Sequence, residues 1–135
     1  MAINNPSIQS HNDVHLLGSV DSVDLNASAQ TTIYTVPIGK KCVLDHVRIR
    51  NLSANATNTI VTIGQVGALT DFLAAQTLSA LNAAAATGKL TPIPNATTAK
   101  AIEYTAGEVL QIDVTTVASI ACTATVEFFG TIDDA

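Results

Sequence analysis

Tyr34-Thr-Val-Pro-Ile-Gly-Lys-Lys-Cys-Val-Leu-Asp-His-Val-Arg-Ile-Arg-Asn51 decides the fold: it reads as the end of a strand, a Pro/Gly turn and a second, longer strand. A shorter echo follows at Tyr104-Thr-Ala-Gly-Glu-Val-Leu-Gln-Ile-Asp-Val114. In both, a Tyr-Thr strand end meets a glycine turn and then a strand whose apolar residues fall largely at every second position, the period of a half-buried strand. In Cys42–Asn51, Val43, Val47 and Ile49 line one face with Asp45 interrupting it, and Cys42, Leu44, His46, Arg48 and Arg50 line the other. Both faces are mixed, which implies partial cover on each side by a loop or another subunit.

Working outward, Val14–Val20 and Thr59–Gly64 read as strands, as does Thr31–Val36 with its β-branched and aromatic content, and Asp21–Gln30 and Asn51–Asn58 read as connections. Lys89–Ile93, with Pro92 and Pro94 about it, reads as an edge segment, because proline cannot donate to a central ladder. Lys100–Thr105, Glu108–Val114 and Ser119–Ile132 follow as three more strands, with Ile120, Cys122, Ala124, Val126 and Phe128 pointing inward by alternation. Only Gln65–Ala86 departs from the pattern. There Leu69, Phe72, Leu73, Ala80 and Leu81 are spaced near 3.6, and Thr70-Asp71 could start a helical turn, so one short helix or an Ala-rich loop is expected, with an edge strand at Thr77–Leu81 as the alternative.

Turns spaced by roughly 8–12 residues place the chain in the all-β class, as a jelly-roll-like β-sandwich of about eight antiparallel strands with at most one short helix. The echo of a Tyr-Thr strand end followed by a glycine turn favours a double Greek key over an immunoglobulin topology, for which Trp and a Cys–Trp–Cys arrangement are missing. Its 135 residues suffice for one core, expected over residues 14–135, preceded by a polar, flexible N-terminal arm over residues 1–13.

Composition narrows function. Aromatic residues make up 4% and Trp is absent, so platforms for stacking sugars are scarce. A net charge of −5 argues against nucleic acid as a partner, since phosphate binding needs an excess of Lys and Arg. Nothing in the sequence suggests a membrane span or a signal sequence, so a soluble protein made in a cytoplasm is expected. The two cysteines, Cys42 and Cys122, lie within strands and read as small buried hydrophobes. Of six basic residues, Lys40, Lys41, Arg48 and Arg50 fall in one turn-strand unit, which could dock an acidic partner or simply form a solvated strand edge.

Catalytic signals are absent: there is no nucleophile elbow, phosphate-binding glycine loop or His-Glu-x-x-His pattern, and no cofactor is implied. His11-x-Asp13-x-His15 supplies ligand types suited to zinc, but sits in the arm with no further cluster near it. His46 and Asp45 should alternate to opposite strand faces and so not touch. Glu103, Glu108, Asp113 and Glu127 are the carboxylates on clear strands, with Asp113 and Glu127 expected on solvated faces. Asn26, Asn51, Asn55 and Asn95 begin Asn-x-Ser/Thr triplets that composition alone would generate.

Thr32-Ile-Tyr-Thr-Val-Pro-Ile-Gly-Lys-Lys41, followed by a long strand ending in Arg-Asn, in a small, acidic, Ala/Thr/Val-rich chain, resembles the jelly-roll capsid decoration or cement proteins of tailed bacteriophages over roughly residues 30–132. The resemblance implies a non-enzymatic virion protein, bound to the exterior of an icosahedral shell and stabilising it. Its partners would be the major capsid protein and copies of itself, as a trimer or a dimer. Contacts would come from Lys40, Lys41, Arg48 and Arg50 and from His11 and His15. Turns of this type also occur in phage tail and fibre β domains, so a module binding host-surface carbohydrate or protein is the alternative.

Overall fold

The computed structural model describes residues 13–92 and 102–135, and these form two antiparallel sheets packed as a β-sandwich. The strands are β1 (His15–Asp24), β2 (Gln30–Thr35), β3 (Lys40–Arg50), β4 (Ile60–Gln65), β5 (Ala68–Thr77), β6 (Gly88–Leu90), β7 (Glu103–Thr105), β8 (Val109–Thr116) and β9 (Thr123–Asp134). One sheet runs β1-β9-β3-β6 with β7 also on β3, and the other runs β2-β8-β4-β5. Leu90 pairs with Val47 and Glu103 with Val43, so β6 and β7 occupy one strand position along the same edge of β3. The nine strands therefore fill eight positions.

The alternating residues of the two inner faces make the core. Cys42, Leu44, Val47 and Ile49 of β3 and Ala124, Val126 and Phe128 of β9 meet Leu110, Ile112 and Val114 of β8 and Val61 and Ile63 of β4 across the sandwich. Aliphatic side chains dominate because the chain has few aromatic ones, and burial of each large one stabilises the fold by about 1.5–3 kcal/mol. Where β1 passes β2 the sheets close tightly: a Cβ on Gly18 would lie 2.3 Å from the Ile33 carbonyl oxygen, so no side chain fits. On the opposite border the buried Tyr104 of β7 donates its hydroxyl to Asp71 Oδ1 of β5 at 2.8 Å, tying one sheet to the other.

Several expectations are corrected by bulges, which insert an unpaired residue and shift the side-chain phase. In β3, Leu44 pairs with Gly130 and His46 with Phe129, leaving Asp45 as the extra residue. Cys42 and Leu44 point inward before it and Val47 and Ile49 after it, so a phase change accounts for the mixed faces of this strand. Gln65–Ala86 contains no helix: β5 is an edge strand, and register breaks against β4 bring Phe72 and Leu73 inward together, mimicking helical spacing. Strand β1 runs on through the expected connection to Asp24, with Ser22 at φ 57° in its own bulge. Ile120 lies in the connection before β9 and is exposed, while Cys122, Ala124, Val126 and Phe128 are buried.

Candidate functional site

With Asp45 bulged out, His46, Arg48 and Arg50 project from the outer face of β3. Register sets them opposite Phe129, Glu127 and Thr125 of β9. Glu127 is only 4% exposed. Its Oε1 accepts from Arg48 Nε at 2.7 Å and Arg50 Nε at 2.9 Å, and its Oε2 accepts from Arg50 Nη2 at 3.2 Å. Two guanidinium groups thus roof one carboxylate, and their hydrogen bonds hold its pKa at about 2, against the burial that would raise it. The same bonds raise the Arg50 pKa. Beside them, Thr125 Oγ1 donates to Asp21 Oδ1 of β1 at 3.1 Å.

The next row of this face is aromatic. The His46 ring stacks on Phe129 with centroids 4.7 Å apart and planes 5° from parallel, and Arg48 Cζ lies 5.1 Å from the Phe129 centroid. Asp45 does touch His46, contrary to simple alternation, because the bulge brings both to one side: Nδ1 and Asp45 Oδ2 are 2.7 Å apart. The buried position of Glu127 likewise overturns the solvated face expected for it. The carboxylate is legible in the sequence; the pairing that encloses it depends on which β9 residue lies opposite Arg48.

The four clustered cations separate into two places. Arg48 and Arg50 share Glu127 on the sheet face, whereas Lys40 pairs with Asp134 and Lys41 with Glu103 at the end of the strand. Each has an acidic partner within the chain, although Arg48 and Arg50 share a single carboxylate, so the unit is no bare positive patch. His15 opens β1, its Nδ1 2.8 Å from the Asp13 carbonyl oxygen, and His11 lies outside the described residues.

The carboxylates do not converge. Glu103 faces Lys41, Glu108 Oε2 accepts from the Thr105 backbone N–H at 2.7 Å, and Glu127 is enclosed by arginines. Among the described residues no group of three or more His, Cys, Asp or Glu is placed to hold a metal ion. Among them, too, no helix is long and apolar enough to cross a membrane. Cys42 and Cys122 are buried and free, and burial followed by the Glu108 charge pushes the Cys42 thiol up to about 11, far from a reactive thiolate. They belong to opposite ends of the β3–β9 ladder, since Cys42 pairs with Ile132 while Cys122 precedes Thr123.

No protein-family model matches the chain, and no curated protein does. Two solved structures share its fold. A chain of the cyanophage Pam1 capsid asymmetric unit superimposes with a TM-score of 0.55 at 22% identity, over 90% of this chain and 85% of that one. A chain of the acidic stable capsid structure of Helicobacter pylori bacteriophage KHP30 gives 0.55 at 13% identity, over 93% and 94% respectively. At these identities the likeness establishes the architecture, a two-sheet β-sandwich spanning nearly the whole of each chain.

Proposed function

We propose that this chain is a structural, non-enzymatic protein of a bacteriophage virion, bound to the exterior of the capsid as a cement or decoration protein. The observation that carries the reading is that both fold likenesses are to chains of phage capsid structures and cover nearly all of each partner. The strand order supports a jelly roll in particular: the chain winds between sheets so that β1-β9-β3-β6 faces β2-β8-β4-β5, two interlocked Greek keys.

In this reading the major capsid protein is the partner, and the protein acts as a homo-oligomer, a trimer by preference, so that weak contacts repeated over a lattice add up to avidity. Arg48 and Arg50 contribute through guanidinium N–H groups that Glu127 does not take, Lys40 and Lys41 form a charged rim, and an arm over residues 1–13, carrying His11 and His15 beside it, reaches a neighbouring subunit. The domain is residues 14–135, made in the host cytoplasm before it joins the particle.

Quantitative mass spectrometry of virus particles purified from the source of this sequence tests the proposal. Copies of this chain in a simple ratio to the major shell protein are expected. A few copies per particle would move it to the tail, and absence from particles would end the virion reading.

A further inference from the structure

Three tight turns crown one end of the sandwich, and all three have the same design. Pro37-Ile-Gly-Lys40, Gln65-Val-Gly-Ala68 and Thr105-Ala-Gly-Glu108 each carry glycine in the left-handed region at the third position, with φ of 78°, 91° and 86° at Gly39, Gly67 and Gly107. Each places an exposed apolar residue at the second position: Ile38, 95% exposed, Val66, 58% exposed, and Ala106. That position tolerates most residue types, so the fold itself does not ask for Ile or Val there. Single exposed aliphatics are ordinary, but these share one end and one turn position.

The turns are also held to one another. Val36 N–H donates to Glu108 O, Gly107 N–H to Val36 O and Val66 N–H to Val109 O, at 3.0, 2.9 and 2.9 Å. Side chains fixed on braced turns lose little freedom on contact. The adjoining cations, Lys40 with Asp134 and Lys41 with Glu103, are already paired, so the end offers apolar knobs beside lysines that have acidic partners.

We propose that this short-turn end is the docking surface, and that Ile38, with Val66 and Ala106 beside it, seats in shallow apolar depressions on the assembled capsid shell protein. The assignment rests on the virion reading above and names the surface through which it acts. A second copy of this chain is a poor occupant: convex knobs do not complement one another, and three small side chains fall well short of the about 800 Å² per partner of a stable two-body interface. A lattice that presents the same depression many times suits a small contact of this kind, because an oligomer engages several at once.

The test measures binding of the full chain to shells of the source virus assembled without it, by co-sedimentation and quantitative mass spectrometry. Ile38→Asp/Val66→Asp is compared with Val117→Asp/Ile120→Asp, which changes the exposed aliphatics of the opposite end. Unchanged melting temperatures show that each variant folds, and Ile38→Ser alone provides a milder second variant. The expected result is wild-type binding that falls at least tenfold in Ile38→Asp/Val66→Asp and less in Ile38→Ser, with the opposite-end variant unaffected. Wild-type binding that survives Ile38→Asp/Val66→Asp, or is lost only in the opposite-end variant, overturns the docking assignment and leaves the virion role standing. A wild-type chain that does not bind overturns both.

Discussion

The two ends of the sandwich solve the same problem, returning the chain to the sheets, in opposite ways. At one end Gly-containing tight turns connect β2 to β3, β4 to β5 and β7 to β8 and leave their apolar tips in water. At the other, the longer connections 25–29, 51–59, 78–87 and 117–122 fold back over the core, burying Leu25, Leu52, Ala56, Leu78, Leu81, Ala118 and Cys122. These loops are tied by backbone bonds such as Leu25 N–H to Cys122 O and Leu78 N–H to Thr59 O, both 2.8 Å, and by Asn26 Nδ2 donating to Ala118 O at 2.6 Å. The leucines of the long-loop end thus serve stability, with Val117 and Ile120 left exposed, whereas the apolar tips of the short-turn end are all free for contact.

The contrast is broken most severely by emptying the long-loop end. Leu25→Ala and Leu78→Ala, each removing a fully buried side chain, should each lower unfolding free energy by roughly 2–5 kcal/mol in urea titrations. If either behaves like a surface substitution, the plug does not stabilise the core.

Between the ends, the outer-face cluster should have an intermediate effect and a pH signature. Replacing Glu127 by Gln removes the charge-assisted bonds to Arg48 and Arg50 and should destabilise by about 1–3 kcal/mol at neutral pH, discounted for the half-exposed arginines. Because folding lowers the Glu127 pKa from 4.5 to about 2, its contribution is complete above about 4.5 and is lost as pH falls toward 2. The stability gap between wild type and Glu127→Gln should therefore narrow across that window in denaturation curves, and a gap independent of pH would contradict the ion-pair account. Tyr104→Phe, which deletes the hydroxyl bond to Asp71 across the sheet border, should cost about 1–2 kcal/mol by the same measurement.

Smaller still are changes at the short-turn end. Gly39→Ala forces a side chain into the left-handed region at φ 78° with open space around it, so it should cost about 1 kcal/mol from backbone strain alone. Ile38→Asp should alter thermal stability by no more than about 0.5 kcal/mol, as expected of a side chain that touches little. A large loss of stability there would mean that Ile38 supports the fold and would remove the contrast between the ends.

How much of this was legible in advance depends on the range of the interaction concerned. Tyr34–Lys41 and Tyr104–Val114 announce their turns because glycine with positive φ and fixed-φ proline act locally. The alternation of Ala124, Val126 and Phe128 likewise needs no partner to be read. The bulges did not show: Asp45 in β3 and the register breaks of β5 are set by the neighbouring strand, and a one-residue slip reverses every later side chain. Hence the helical spacing read into β5, the separated His46 and Asp45, and the solvated Glu127.

By itself the sequence determined the class of the fold, the main strands and turns, and an aliphatic core, since these follow from local backbone preference and the two-residue period of apolar burial. Only the tertiary structure decided that Arg48, Arg50 and Glu127 form one cluster, that Lys40 and Lys41 find acidic partners, and that Ile38, Val66 and Ala106 share one end. Those arrangements join residues tens of positions apart, and their physical cause is strand register, which no local segment encodes alone.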